Sequence, residues 1–164
     1  MPFHKTPDET PTSGRGRLFP TSLDLEFKVR GRRTGSGAMD DADAMFPGRA
    51  RRLCKAWLRL ADQEDLVDWL ELVVSELVTN ALRYGWGSTI TFGLGMDGDR
   101  LRLSVGDGNP HPPYVRTADS SSERGRGMRI VIQAVRSAGG ELGFSRDGTT
   151  TWCTFPISEE KQRV

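Results

Sequence analysis

The stretch SELVTNALRY, residues 75–84, lies inside a longer apolar-periodic run, VDWLELVVSELVTNALRYG, residues 67–85. Leu70, Val73, Val74, Leu77 and Ala81 recur at helical spacing, which predicts a core-facing helix over about residues 66–84, stopped by Gly85. Glu76 and Asn80 interrupt it. As an i, i+4 pair they stack on one helix face one turn apart and border the apolar stripe. Asn is a poor mid-helix residue because its amide competes with backbone hydrogen bonding, so the pair is either a solvated edge or the polar wall of a site.

Upstream, PGRARRLCKAWLRLA places Leu53, Trp57, Leu60 and Ala61 on one helical face, with Pro47 suited to the first turn. Before it, SLDLEFKVR alternates with the period of a strand (Leu23, Leu25, Phe27, Val29), and residues 31–44 read as a loop. Downstream, STITFGLG and RLRLSVGD alternate around Asp97-Gly98, a hairpin signal. A helix with Met128, Val131, Val135 and Ala138 on one stripe follows, then a second hairpin turning at Asp147-Gly148. Strand, helix, helix, hairpin, helix, hairpin is the order of an α+β two-layer sandwich, a mixed and mostly antiparallel sheet with helices on one face. One domain is expected over residues 21–158, after a flexible leader at 1–20 rich in Pro, Thr, Gly and charge, and before a tail at 159–164.

Two further polar interruptions fall where apolar residues belong. Along RLRLSVGD, Leu101, Leu103 and Val105 share one parity, and the next residue on it is Asp107. A carboxylate aimed at a core face needs hydrogen-bond donors from the protein or from a ligand, unless it turns out to water at the strand end. The other is Arg124-Gly125-Arg126-Gly127-Met128, a glycine pair at the mouth of an amphipathic helix, where free N–H groups and the helix dipole favour phosphate. The polar, Pro- and Ser-rich residues 108–124 before it have the length and character of a lid. Thr149 shares strand parity with Thr151, Cys153 and Phe155.

Composition removes several classes. Lys+Arg 23 against Asp+Glu 22 leaves a net charge of +1, with no field to draw the chain onto nucleic acid or anionic lipid. Cys54 and Cys153 stand far apart, and His4 and His111 are isolated, so neither a disulfide framework nor a Cys/His zinc site is expected, and a reducing cytoplasm fits. No apolar run is long enough to span a membrane.

Taken in order, Glu76-Leu-Val-Thr-Asn80, Val105-Gly-Asp107-Gly108, Gly125-Arg-Gly127-Met128 and Gly148-Thr149-Thr150 resemble the successive motifs of the GHKL ATPase/kinase superfamily. Within it the sequence is similar to the small anti-sigma factor serine/threonine kinases common in actinobacteria. The resemblance covers about residues 47–157. It implies a Bergerat ATP-binding fold with ATP and Mg²⁺ as cofactors. Glu76 would activate the attacking group, Asn80 would ligate Mg²⁺, and Asp107, with Gly108 beside it, would accept from the adenine amino group. Gly125, Gly127 and Met128 would form the phosphate turn, Arg124 and Arg126 would add charge to the phosphates, and Thr149 would lie near adenine.

The sequence also departs from that pattern. Where the family carries Asp-x-Gly-x-Gly, it has Asp107-Gly108-Asn109-Pro110-His111, without the two hinge-like glycines. The resemblance implies a sigma factor and an anti-anti-sigma (STAS-type) protein as partners and leaves a homodimer open. Three functions compete: a serine/threonine kinase acting by partner switching, a module that only sequesters a partner, and an isolated catalytic domain like that of a histidine kinase.

Overall fold

The computed structural model describes residues 21–34, 37–111 and 123–157. The expected leader (1–20), the tail (159–164) and most of the expected lid (112–122) lie outside the described residues. The elements are β1 (Ser22–Thr34), α1 (Phe46–Leu60), α2 (Val67–Tyr84), β2 (Trp86–Asp97), β3 (Arg100–Gly106), α3 (Glu123–Ser137), β4 (Glu141–Phe144) and β5 (Thr150–Pro156). They form an α+β sandwich. The five strands lie in the order β1-β2-β3-β5-β4, and every pairing is antiparallel, the antiparallel end of the mixed, mostly antiparallel sheet expected.

Alternation explains the layering. Ile90, Phe92 and Leu94 on β2, Leu101, Leu103 and Val105 on β3, and Cys153 and Phe155 on β5 are buried on the sheet face that meets Leu70, Val73, Val74, Leu77 and Ala81 of α2. Each fully buried Leu, Ile or Phe contributes about 1.5–3 kcal/mol relative to exposure, so this central stripe is the main apolar anchor of α2. The β2–β3 hairpin turns at Gly98 and Asp99, with a positive φ of 61° at Gly98 alone. That pattern belongs to a II′ turn, whose twist matches that of the strands.

Two local expectations are corrected. Leu53 and Leu60 of α1 are exposed, at 42% and 57%, and the buried stripe is Ala50, Cys54, Trp57, Leu58 and Ala61. The small Ala50 and Cys54 turn inward and let α1 lie close against α2, where Arg51 Nη1 donates to Ser75 Oγ at 3.0 Å. Second, β1 continues to Thr34, through the first residues of the expected loop. Its register with β2 shifts between Lys28 and Arg33, and there the Arg30 N–H donates to both carboxylate oxygens of Asp43 at 3.2 Å. Asp43 is 3% exposed, so a buried carboxylate stands in for the ladder partner that the shifted strand lacks.

Burial pushes the thiols of Cys54 and Cys153 up to about 12, with the charge of Glu71 adding to the rise at Cys54. Both are free thiols and both are inert as nucleophiles near neutral pH.

Candidate functional site

α2 carries Glu76 and Asn80 half-buried on the flank it turns towards α3. The contact with α3 is made at Gly127. A Cβ placed there would lie 2.7 Å from Glu76 Oε2 and 3.6 Å from both Asn80 Nδ2 and Asn80 Oδ1, so a glycine is what lets the α3 backbone sit over the pair. Asn80 Nδ2 is buried and has no hydrogen-bond partner. Leaving such a donor unsatisfied costs about 1–3 kcal/mol, and an acceptor arriving with a ligand would recover it.

β3 delivers Asp107 from the opposite side. Strand parity is kept through Leu101, Leu103 and Val105, and the backbone of Asp107 is held by two neighbours: its N–H donates to Thr149 O at 2.9 Å and its carbonyl accepts from the Trp86 N–H at 2.9 Å. Its Oδ1 accepts from the Asn109 N–H at 2.9 Å. Asp107, Asn80 and Met128 line one cavity together with Leu77, Ala81, Tyr84, Val105 and Thr151. That cavity has about 20 Å³ for water-sized occupants, which is room for a water molecule and not for a purine. A nucleotide therefore needs this cavity to widen.

The remaining expected site residues are placed as follows. Gly125 and Gly127 are buried and lie within the first turns of α3, which begins at Glu123, at the mouth of the helix where the sequence put them. Met128 is fully buried against the cavity. Arg126 is exposed, and the side chain of Arg124 lies outside the described residues. Gly108 has φ +75°, and a Cβ there would come within 2.8 Å of Trp86 O. Thr149 is in the β4–β5 turn, where its hydroxyl donates to Asp147 Oδ1 at 2.8 Å. The threonine on the cavity wall is Thr151, two residues further along the same parity. Tyr84, one turn beyond Asn80, is another wall residue, and helical spacing from Asn80 was its only signal in the sequence.

The donor set fits a nucleotide with a hard cation. Among the described residues no group of three His, Cys, Asp or Glu gathers to hold an ion. Mg²⁺ is commonly bound through one or two protein oxygens plus substrate phosphates and water, and the Asn80 amide oxygen would be the protein group to hold it here.

An antiparallel sheet backed by α2 and α3, with this constellation between the layers, defines an ATP-binding module of the GHKL type. The chain belongs to the family of histidine kinase-, DNA gyrase B- and HSP90-like ATPases, whose match spans residues 65–159 and takes in Glu76, Asn80, Asp107, Gly125, Gly127 and Thr149. It is similar to blue-light-activated histidine kinase 2 of Erythrobacter litoralis, at 34% identity over 100 residues, which cover 57% of this chain and 28% of that protein. The solved blue-light-activated histidine kinase EL346 of Erythrobacter litoralis is 27% identical, with a TM-score of 0.45, over 62% of this chain and 34% of that one. The isolated histidine kinase domain of the same protein is 23% identical, with a TM-score of 0.46, over 80% and 68%. The chain thus spans less than a third of the curated relative's length. Among the described residues no helix is long and apolar enough to cross a membrane.

Proposed function

We propose that the chain binds ATP with Mg²⁺ in the cavity between α2, α3 and β3, and passes the γ-phosphoryl group to a serine hydroxyl of an anti-anti-sigma (STAS-type) protein. By this it would regulate transcription through partner switching with a sigma factor, in the cytoplasm. The observation that carries the nucleotide reading is the buried, unpartnered Asn80 amide facing the same cavity as Asp107. The serine/threonine and anti-sigma part rests on the sequence resemblance.

Each residue then has a task. Asp107, anchored by its backbone at Trp86 and Thr149, accepts from the adenine amino group and fixes the base. Asn80 offers its amide to the phosphate end. Glu76, one turn before Asn80, takes the proton of the incoming hydroxyl as its oxygen bonds to the γ-phosphorus, and the bond to the bridging oxygen breaks to release ADP. Bound Mg²⁺ supplies neutralisation of the phosphate charge. Gly127 keeps the α3 backbone within reach of that centre.

The likeness to histidine kinases supports a second reading, in which the acceptor is a histidine on another segment or chain. His111 is on no helix: it lies in the loop after β3, edge-on to Trp86 with ring centroids 5.8 Å apart. The experiment is incubation with γ-labelled ATP, Mg²⁺ and candidate anti-anti-sigma proteins from the same cell. An acid-stable label on a partner's serine supports the first reading. An acid-labile label on histidine supports the second, and ATP binding with no label on any protein leaves a module that only sequesters its partner.

A further inference from the structure

The departure from Asp-x-Gly-x-Gly puts an asparagine where the family pattern has its first glycine after the aspartate, and that side chain is neither exposed nor idle. Asn109 is 6% exposed. Its Nδ2 donates to Tyr84 O at 2.8 Å, and its Oδ1 accepts from the His111 N–H at 2.9 Å. One partner is an acceptor and the other a donor, so the amide has a single satisfying orientation. Tyr84 is the last residue of α2, and its carbonyl is one of those the helix leaves without a donor. Asn109 thereby ties the loop after β3 to the end of the helix that carries Glu76 and Asn80. With its side chain clamped at both ends, its own N–H points at Asp107 Oδ1, 2.9 Å away.

We propose that Asn109 is a positioning residue for adenine recognition: clamped between the end of α2 and the loop, it holds its N–H against Asp107 Oδ1 and so orients the carboxylate that takes the adenine amino group. The proposal rests on the nucleotide reading above and adds a residue to it. A glycine at this position would keep the N–H that Asp107 Oδ1 accepts but would lack the side chain that ties it to Tyr84 and His111. Here the orientation is built into the fold before any ligand arrives, which lowers the ordering cost of binding.

The test compares ADP with IDP, each with Mg²⁺, by calorimetry on the full chain. Hypoxanthine carries a carbonyl oxygen where adenine carries the amino group, so a correctly oriented Asp107 carboxylate favours ADP. Asn109→Ala is expected to lower ADP affinity about tenfold while IDP affinity changes little, so that discrimination falls by the same factor. Equal loss for both nucleotides, or unchanged ADP affinity in a folded variant, overturns the proposal, because a merely structural role lowers both alike. Asn109→Ser keeps a hydroxyl for the His111 N–H and loses the bond to Tyr84, and it is read if Asn109→Ala does not fold. Failure of both to fold makes Asn109 a structural hub and overturns the positioning role. A wild type that binds ADP and IDP equally removes the adenine assignment itself, a failure told apart by its presence before any substitution.

Discussion

On the α2–α3 side of the cavity, Asn80 presents a buried amide N–H with no partner, and Gly127 brings the α3 backbone against Glu76. On the β3 side, Asp107 is tied through its N–H to Thr149, through its carbonyl to Trp86 and through Oδ1 to Asn109, which is itself tied to Tyr84. One side is under-satisfied and the other is braced. On the proposed nucleotide reading, the contrast follows from what each would meet. A phosphate and its cation bring many strong acceptors and charges, so donors there are best left free. A flat base offers few polar atoms, so its acceptor must be aimed in advance.

Substitutions can break that comparison from either side, and the largest effect is expected at Glu76. Glu76→Gln keeps the shape and should bind ATP with Mg²⁺ almost as wild type, while transfer to a partner falls roughly 10²–10⁴-fold in single-turnover labelling. A variant that unfolds would instead mark the carboxylate as a structural hub. Next comes Asp107→Ala, in which the base side loses its acceptor. ATP binding should vanish at calorimetric concentrations while the thermal transition stays cooperative, and unchanged affinity would remove the adenine role from β3.

Gly108→Ala tests the brace itself. With φ +75° and Trp86 O only 2.8 Å from the new Cβ, the substitution should cost about 1–3 kcal/mol, seen as a Tm lowered by several degrees. Gly127→Ala should be gentler on folding, because the atom it meets is the mobile end of Glu76. Its expected signature is a loss in transfer of about tenfold with little change in Tm.

The smallest effect is at the exposed Asp147, whose carboxyl is held below the usual range by the Ser145 hydroxyl and by the N–H and hydroxyl of Thr149. Its folded pKa is lower than its unfolded value. Whatever it adds to the β4–β5 turn is present above the unfolded value and is lost as pH falls through the folded one. Amide exchange at Thr149, corrected for intrinsic rates, should lose protection only at pH values below the ordinary carboxylate range and keep it near neutrality.

How much was legible depended on whether a pattern was local. The stripe of α2 and the position of Asp107 follow from periods of 3.6 and 2 that run unbroken through residues 70–81 and 101–107, so helix, strand and both polar interruptions could be read directly. The II′ turn at Gly98 was equally local. Asp43 and Asn109 were illegible because their partners, Arg30 and Tyr84, lie 13 and 25 residues away. RGRRT read as loop for the same reason: its pairing to β2 resumes only after the shift that Asp43 accommodates. On α1, the predicted and the buried stripes share Trp57 and Ala61, and the difference falls to the small residues Ala50 and Cys54, whose value lies in close approach to α2 and not in hydrophobicity. Thr149 entered through the resemblance, and its side-chain hydrogen bond within the turn does not show in strand parity.

The most direct measurement is a calorimetric titration of ATP into the wild type and Asn80→Ala, each with and without Mg²⁺. If the unpartnered amide belongs to the phosphate and cation end of a nucleotide site, the wild type binds ATP more tightly with Mg²⁺, while Asn80→Ala still binds the base weakly and gains nothing from the ion. A wild type that binds no ATP, or an Asn80→Ala variant whose response to Mg²⁺ equals that of the wild type, would contradict the site described between α2, α3 and β3.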